Sequence, residues 1–222
     1  CAIERNHLGR VALRNGGSPF DATSLTEDYE LGLGVAEAGA RTIFARILDE
    51  DGQLVGTRAC FPDTLGAAVR QKARWMTGIA LAGWDRLGWR GSFFEFWMRL
   101  RDRKAVFAAL VLTLAYACIA LTALLILAHR SGVHDPKPLS STLVLLLLVN
   151  AALLMWRMAV RCAFVARHYG WRQGLLSIPR TVVANIIAIM AARRATVAYA
   201  KHLLGSKLHW DKTTHTHFPT SG

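Results

Sequence analysis

Acidic residues are scarce in this chain: 15 Asp and Glu stand against 27 Lys and Arg in 222 residues, a formal net charge of +12. That balance excludes an acidic chain, and a hydrophobic content of 53% excludes a disordered one. Charge of either sign is thin, at 19%. A basic pI beside a positive mean hydropathy requires the charge and the apolar residues to be segregated along the chain. Cysteine is also rare. Cys1, Cys60, Cys118 and Cys162 lie far apart without a CxxC step, which excludes a zinc site or a disulfide framework and leaves reduced, structural thiols. The stretch opens without Met, without a basic n-region and without a cleavable apolar core, so no targeting signal is visible at this end. It reads as a fragment of a longer gene product.

What is present falls into blocks. Residues 1–90 have the mixed character of part of an α/β domain. Ser24 and Thr26 ahead of Glu27 and Asp28 form a start signal, and Gly39 a stop, which predicts a helix of about three turns. Residues 42–48 and 54–60 flank Asp49-Glu50-Asp51-Gly52-Gln53, a hairpin pattern. Pro62-Asp63 opens a longer helix expected to run through Trp84.

Residues 91–104 place Phe93, Phe96, Trp97 and Leu100 at helical spacing, while Arg99, Arg101, Arg103 and Lys104 crowd toward the next block. This is the pattern of an interfacial helix feeding a membrane span. Residues 105–127 carry no charge over 23 positions, enough for a hydrocarbon core that needs about 20 helical residues. After a polar turn, 18 uncharged residues from Leu139 to Trp156 predict a second span over 139–160, with Arg157 and Arg161 snorkelling. Residues 174–192 include Pro179, Arg180 and Asn185, which leaves only 12 uninterrupted uncharged residues from Thr181. They read as an amphipathic helix in the interface with Leu175, Ile178, Val182, Ile186 and Ile189 on its apolar side; the other reading is a third, kinked span. Residues 193–222 follow as a cytoplasmic tail.

Lys and Arg number six between Asp85 and Lys104, two between Ala128 and Pro138, and five between Arg157 and Arg180, so both flanks are expected in the cytoplasm. The basic clusters abut apolar spans and lack an interleaved reading surface. They point to membrane lipids as partners and to no nucleic acid.

Two constellations carry chemistry. In Ser24-Leu25-Thr26-Glu27-Asp28-Tyr29-Glu30 two acids occupy a first helical turn, where plain capping would also put them; the functional reading holds Asp28 at a cleft edge as a general base. In Gln71-Lys72-Ala73-Arg74-Trp75 an amide, a guanidinium and an indole share an arc of about 100°. An amphipathic helix with Trp75 packed inward would use the same residues. A sugar-phosphate site would use Arg74 for phosphate oxygens, Gln71 for hydroxyls and Trp75 for an apolar sugar face. Gly32-Leu33-Gly34 imitates part of a dinucleotide fingerprint but follows no strand and lacks the third glycine, so it carries no weight. His209, Asp211, His215 and His217 lie in a polar tail without ligand spacing and read as solvated.

An SLTEDYELGL helix start followed about forty residues later by QKARW resembles the second half of the catalytic domain of membrane-bound family-2 glycosyltransferases, the inverting GT-A group that includes cellulose and hyaluronan synthases. The resemblance implies that Asp28 is the catalytic base for the acceptor hydroxyl, with Glu27, Gln71, Arg74 and Trp75 binding substrate. Residues 208–215 and 217–219, with Ser177-Ile178-Pro179-Arg180, resemble the phage-adsorption subgroup of that family, whose members sit in the bacterial inner membrane. No DxD motif and no uridine-binding strand occur here, so the divalent metal (Mg or Mn) implied for the complete enzyme would take its ligands from outside this chain.

The fold expected is therefore α/β, the C-terminal part of a GT-A domain, followed by an α-helical transmembrane region. The function expected is transfer of a hexose from a nucleotide-sugar donor to a saccharide or lipid-linked acceptor with inversion, by a multi-pass inner-membrane protein whose catalytic part is cytoplasmic. This stretch alone is expected to be inactive. The rival reading is a membrane scaffold, or a secretion or phage-adsorption component with an outer-membrane or secretion partner, that keeps the glycosyltransferase shape without turnover. A transporter or channel subunit fits less well, because the first two expected spans contain Asn150 and scattered hydroxyls but no charge in their cores.

Overall fold

The computed structural model describes residues 2–207 except 22, 44, 46, 53–54, 57–61, 90 and 134–137. Cys1, Cys60 and the motifs at 208–219 lie outside the described residues. In chain order the helices are α1 (Arg5–Arg14), α2 (Glu27–Glu37), α3 (Leu65–Trp75), a π-helical segment (Met76–Leu81), α4 (Ala82–Leu87), α5 (Phe93–Arg103), α6 (Ala105–Arg130), α7 (Ser141–Tyr169) and α8 (Trp171–Leu203). The chain divides into two compact units, residues 1–108 with 190–222 and residues 109–189.

In the first unit, α1 and α2 share an apolar cluster of Val11, Leu31, Val35 and Ala38, with Ile3, Leu8 and Ala40 packed around it. Helix α2 stops where the sequence predicts, with Gly39 at φ +92° and its N–H on the Ala36 carbonyl. The run from Leu65 to Leu87 is continuously helical, as expected, and starts at Thr64, whose hydroxyl accepts from the Ala67 N–H at 3.3 Å. Val69 and Met76 apart, its inner side is made of small residues, Ala67, Ala73, Thr77, Gly78, Ala80, Ala82 and Gly83. Such residues let neighbouring backbone come close.

The α/β expectation is not confirmed, whereas the helical, membrane-capable part of the expected fold is present. Among the described residues there is no strand beyond a single bridge residue, Leu48. The hairpin region retains a turn, with the Gly52 N–H on the Asp49 carbonyl (3.1 Å) and the Val55 N–H on the Ile47 carbonyl (2.9 Å), while residues 57–60 of its second run lie outside the described residues. Ile43, Ile47, Leu48 and Val55 are all exposed. A hairpin with no sheet to join and no face to bury is marginal by itself.

Helix α5 is inside out. Arg99 and Arg103, expected at the lipid headgroups, are 1% and 2% exposed, whereas Phe93 and Phe94 are 82% and 77% exposed. Arg99 donates to the Leu87 and Gly88 carbonyls and to Glu37 at 2.7 Å. Arg103 donates to the Gly83 carbonyl at 2.7 Å and lies over the Trp89 ring. Burial, with Arg99 beside it, lowers the Arg103 pKa from its ordinary value. These main-chain partners exist only in the tertiary structure, so the arginine stripe turns inward and leaves the aromatic stripe out.

The second unit holds α6 from Ala109 to its end, all of α7 and α8 as far as Ile189. Gly174 sits against Ala166 and the Cys162 carbonyl so tightly that a methyl there would stand 2.8 and 2.9 Å from them. Asn185 donates to the Tyr116 hydroxyl at 3.2 Å. The Ser177 and Thr181 hydroxyls donate to the Gly174 and Ser177 carbonyls on either side of Pro179. Helix α8 is one 33-residue element through Pro179 and Arg180, and α6, α7 and α8 are each long and apolar enough to cross a membrane. The helix read over 174–192 is thus part of a longer one, which Pro179 does not interrupt because it costs one ladder hydrogen bond and the rest of the ladder continues past it. In the first unit, Tyr199 near the end of α8 hydrogen-bonds Asp85 of α4.

Candidate functional site

The first turn of α2 is built by the segment before it. Asp21 accepts from the Thr23 N–H and hydroxyl at 2.8 and 2.7 Å, and Ser24 accepts from the Thr26 N–H at 3.1 Å. The Thr23 hydroxyl and amide, joined by the Arg86 guanidinium, hold the Asp21 carboxyl below its ordinary value. Arg86 of α4 bridges Asp21 at 2.6 Å and Glu30 at 3.0 Å and donates to Thr23. The entry to α2 is therefore fastened before the helix begins.

Asp28 is exposed on that first turn and accepts from the Tyr29 N–H at 2.9 Å. Glu27 faces another way, into a cleft of about 340 Å³ that it shares with Arg14, Asp21, Glu30, Glu37 and Arg86. Tyr29 reaches Asp102 of α5 at 3.5 Å; burial, with the Asp102 charge next, pushes its pKa up. With Glu37 on Arg99, both ends of α2 are tied to the inner face of α5.

On α3, Gln71 and Arg74 are half-buried at the edge and Trp75 is 41% exposed. The inward packing of Trp75 that a plain amphipathic helix would give is thus absent. Gln71, Arg74, Trp75 and Gly78 follow one another at i, i+3, i+4 and i+7, and so share a stripe.

The two constellations meet at the end of that stripe. A methyl on Gly78 would stand 2.6 Å from Thr26 Oγ1, 2.7 Å from Thr26 Cγ2 and 3.2 Å from Leu25 Cβ. The segment that launches Asp28 thus rests directly on the helical run that bears Gln71, Arg74 and Trp75. Sequence reasoning names Thr26 as a cap and passes over Gly78. The readable signal was a glycine continuing the Gln71 and Arg74 stripe.

Among the described residues no three His, Cys, Asp or Glu side chains converge as metal ligands. The side chains among the described residues do not fit a metal site.

Residues 2–200 match the family model described as glycosyl transferase family group 2. The chain is 35% identical, over an alignment of 226 residues, to the bacteriophage adsorption protein B of Escherichia coli (strain K12). The bacteriophage N4 adsorption protein B of Escherichia coli O157:H7 matches equally, at 35%. Each alignment covers 92% of this chain and 30% of the relative, so the chain spans about a third of the length of the curated relatives it matches. No solved structure matches.

Proposed function

The chain belongs to glycosyl transferase family group 2, and from that membership we propose that it is the acceptor-side part of an inner-membrane enzyme that moves a hexose from a nucleotide-diphosphate sugar to a saccharide or lipid-linked acceptor with inversion. The observation that carries the reading is the contact of Thr26 with Gly78, which sets the Asp28 turn against the Gln71, Arg74 and Trp75 stripe. Asp28, exposed and anchored by one backbone N–H, takes the acceptor proton as the new glycosidic bond forms. A carboxylate is a far weaker base than an alkoxide, so the proton moves late and together with bond formation. Arg74 meets the departing diphosphate through its planar fork, Gln71 hydrogen-bonds sugar hydroxyls, and the exposed Trp75 indole covers a sugar face. Glu27 lines the polar cleft behind the turn as a substrate-binding group. Mg or Mn would be held by residues outside this stretch.

The decisive experiment is Asp28→Asn in the full-length protein, assayed in membranes with labelled nucleotide sugar at matched protein levels. Loss of the proton acceptor lowers transfer by roughly 10²-fold or more. Equal activity removes Asp28 from the mechanism. Inactivity of the parent as well as the variant moves the assignment to a non-catalytic scaffold.

The catalytic part and residues 193–207 are proposed to share the cytoplasmic side, a reading supported by the Tyr199–Asp85 hydrogen bond within one unit. A reporter fused after Lys207 is expected to behave as cytoplasmic. A periplasmic reporter at that point makes α8 a full third span.

A further inference from the structure

Gly78 is a glycine without a backbone reason. Its φ is not in the left-handed region, it lies within a helical run, and glycine is a poor helix former. Space is the remaining reason, and the space is taken by Thr26. Thr26 is itself out of its ordinary role: it stands at the N-cap of α2, yet its side chain caps nothing. It is 3% exposed, and its Oγ1 has no hydrogen-bond partner among the described residues. The side chain that should bond the helix's free amides is instead pressed into the notch that Gly78 leaves.

We propose that Gly78 is a positioning residue whose missing side chain fixes the distance between Asp28 and the Arg74–Trp75 pair. The inference rests on the base and cradle roles proposed above and adds what sets their spacing. A methyl at 2.6–2.7 Å from Thr26, where ordinary contact begins near 3.4 Å, forces the two segments apart by several tenths of an ångström or more. Thr26 is two residues before Asp28, and Gly78 is one turn beyond Arg74. The displacement therefore falls on the spacing of the two groups that act on opposite ends of the transfer. A misplacement of about 1 Å costs on the order of 10²-fold in rate.

The test uses the full-length protein in membranes. Gly78→Ala is expected to lower kcat by roughly 10²-fold while the donor KM moves by less than about threefold, with expression retained and a modest fall in thermal stability, because alanine's better helix propensity offsets only part of the overpacking. Adding Thr26→Ala removes both atoms the methyl meets, so Gly78→Ala/Thr26→Ala is expected to regain about tenfold or more of the lost rate. In an Asp28→Asn background Gly78→Ala should cost nothing further, since the group it displaces is gone. Parent-like activity of Gly78→Ala, no relief from Thr26→Ala, or full additivity with Asp28→Asn would each overturn the proposal. If Gly78→Ala does not accumulate, the double variant decides: activity within about tenfold of the parent supports the notch, and a deeper loss refutes it. The two readings fail separately. A fully active Asp28→Asn ends the base assignment whatever Gly78 does, while an inactive Asp28→Asn beside a normal Gly78→Ala ends only the positioning role.

Discussion

Helices α3 and α5 are both eleven residues long, both amphipathic and both basic at their ends, yet they solve opposite problems. Helix α3 buries Ala67, Val69 and Ala73 and leaves Gln71 and Arg74 at the edge. Helix α5 buries Arg99 and Arg103 and leaves Phe93, Phe94 and Trp97 outside. Apolar periodicity defines a stripe but not the medium it faces. For α3 the medium proposed is water or a substrate. For α5, which runs within two residues of the 26-residue apolar helix α6, the medium proposed is the membrane surface.

The sharpest contrast is between the arginines of the two helices. Arg99→Leu strips Glu37 and two carbonyls of their shared donor, and is expected to destabilise the first unit by about 2–4 kcal/mol, read as a lowered Tm in detergent. Arg74→Lys keeps the charge but loses the planar fork, so the fold should persist while transfer falls by roughly 10²-fold. An Arg99→Leu variant with unchanged Tm, or an Arg74→Lys variant that unfolds, would erase the distinction.

A smaller effect tests the media themselves. In a full-length background without cysteine, Phe94→Cys should react several-fold more slowly with a charged, water-soluble maleimide than Lys72→Cys, although Phe94 is 77% exposed and Lys72 is half-buried. Lipid covering α5 is the cause expected. Equal rates, or faster labelling at position 94, would put both helices in water.

Much of this was legible from local chemistry. Gly39 marks the end of α2 because a left-handed terminus suits glycine, and the run after Pro62 is helical because no proline interrupts it, its ladder shifting only to π geometry at Met76–Leu81. The sequence leaves 174–192 open between an interfacial helix and a third span, and the full extent of α8 through Pro179 and Arg180 is not legible there, since continuity of a helix depends on its neighbours and not on an uncharged count. The direction of the α5 arginines was not legible at all. Their partners are carbonyls of Leu87 and Gly88 and the side chain of Glu37, brought there only by folding. At the site, Asp28, Gln71, Arg74 and Trp75 stand out as residue types, but Gly78 matters through what it lacks, and an absent atom is recognisable only once Thr26 is seen beside it.

The π-helical segment from Met76 to Leu81 works on the helices at its two ends as a phase shifter. One extra residue in a turn rotates everything downstream by about 100° relative to an uninterrupted α-helix. Helix α3 can therefore show Gln71 and Arg74 on one bearing while α4, in the same continuous rod, aims Arg86 at Asp21 and Glu30 and offers the Gly83 carbonyl to Arg103. Deleting one residue from 76–81 would let the rod relax to regular α geometry and keep the bearing. Regular α geometry there with no residue removed would leave each helix intact but turn α4 by about 100° against α3, like gears meshed one tooth out.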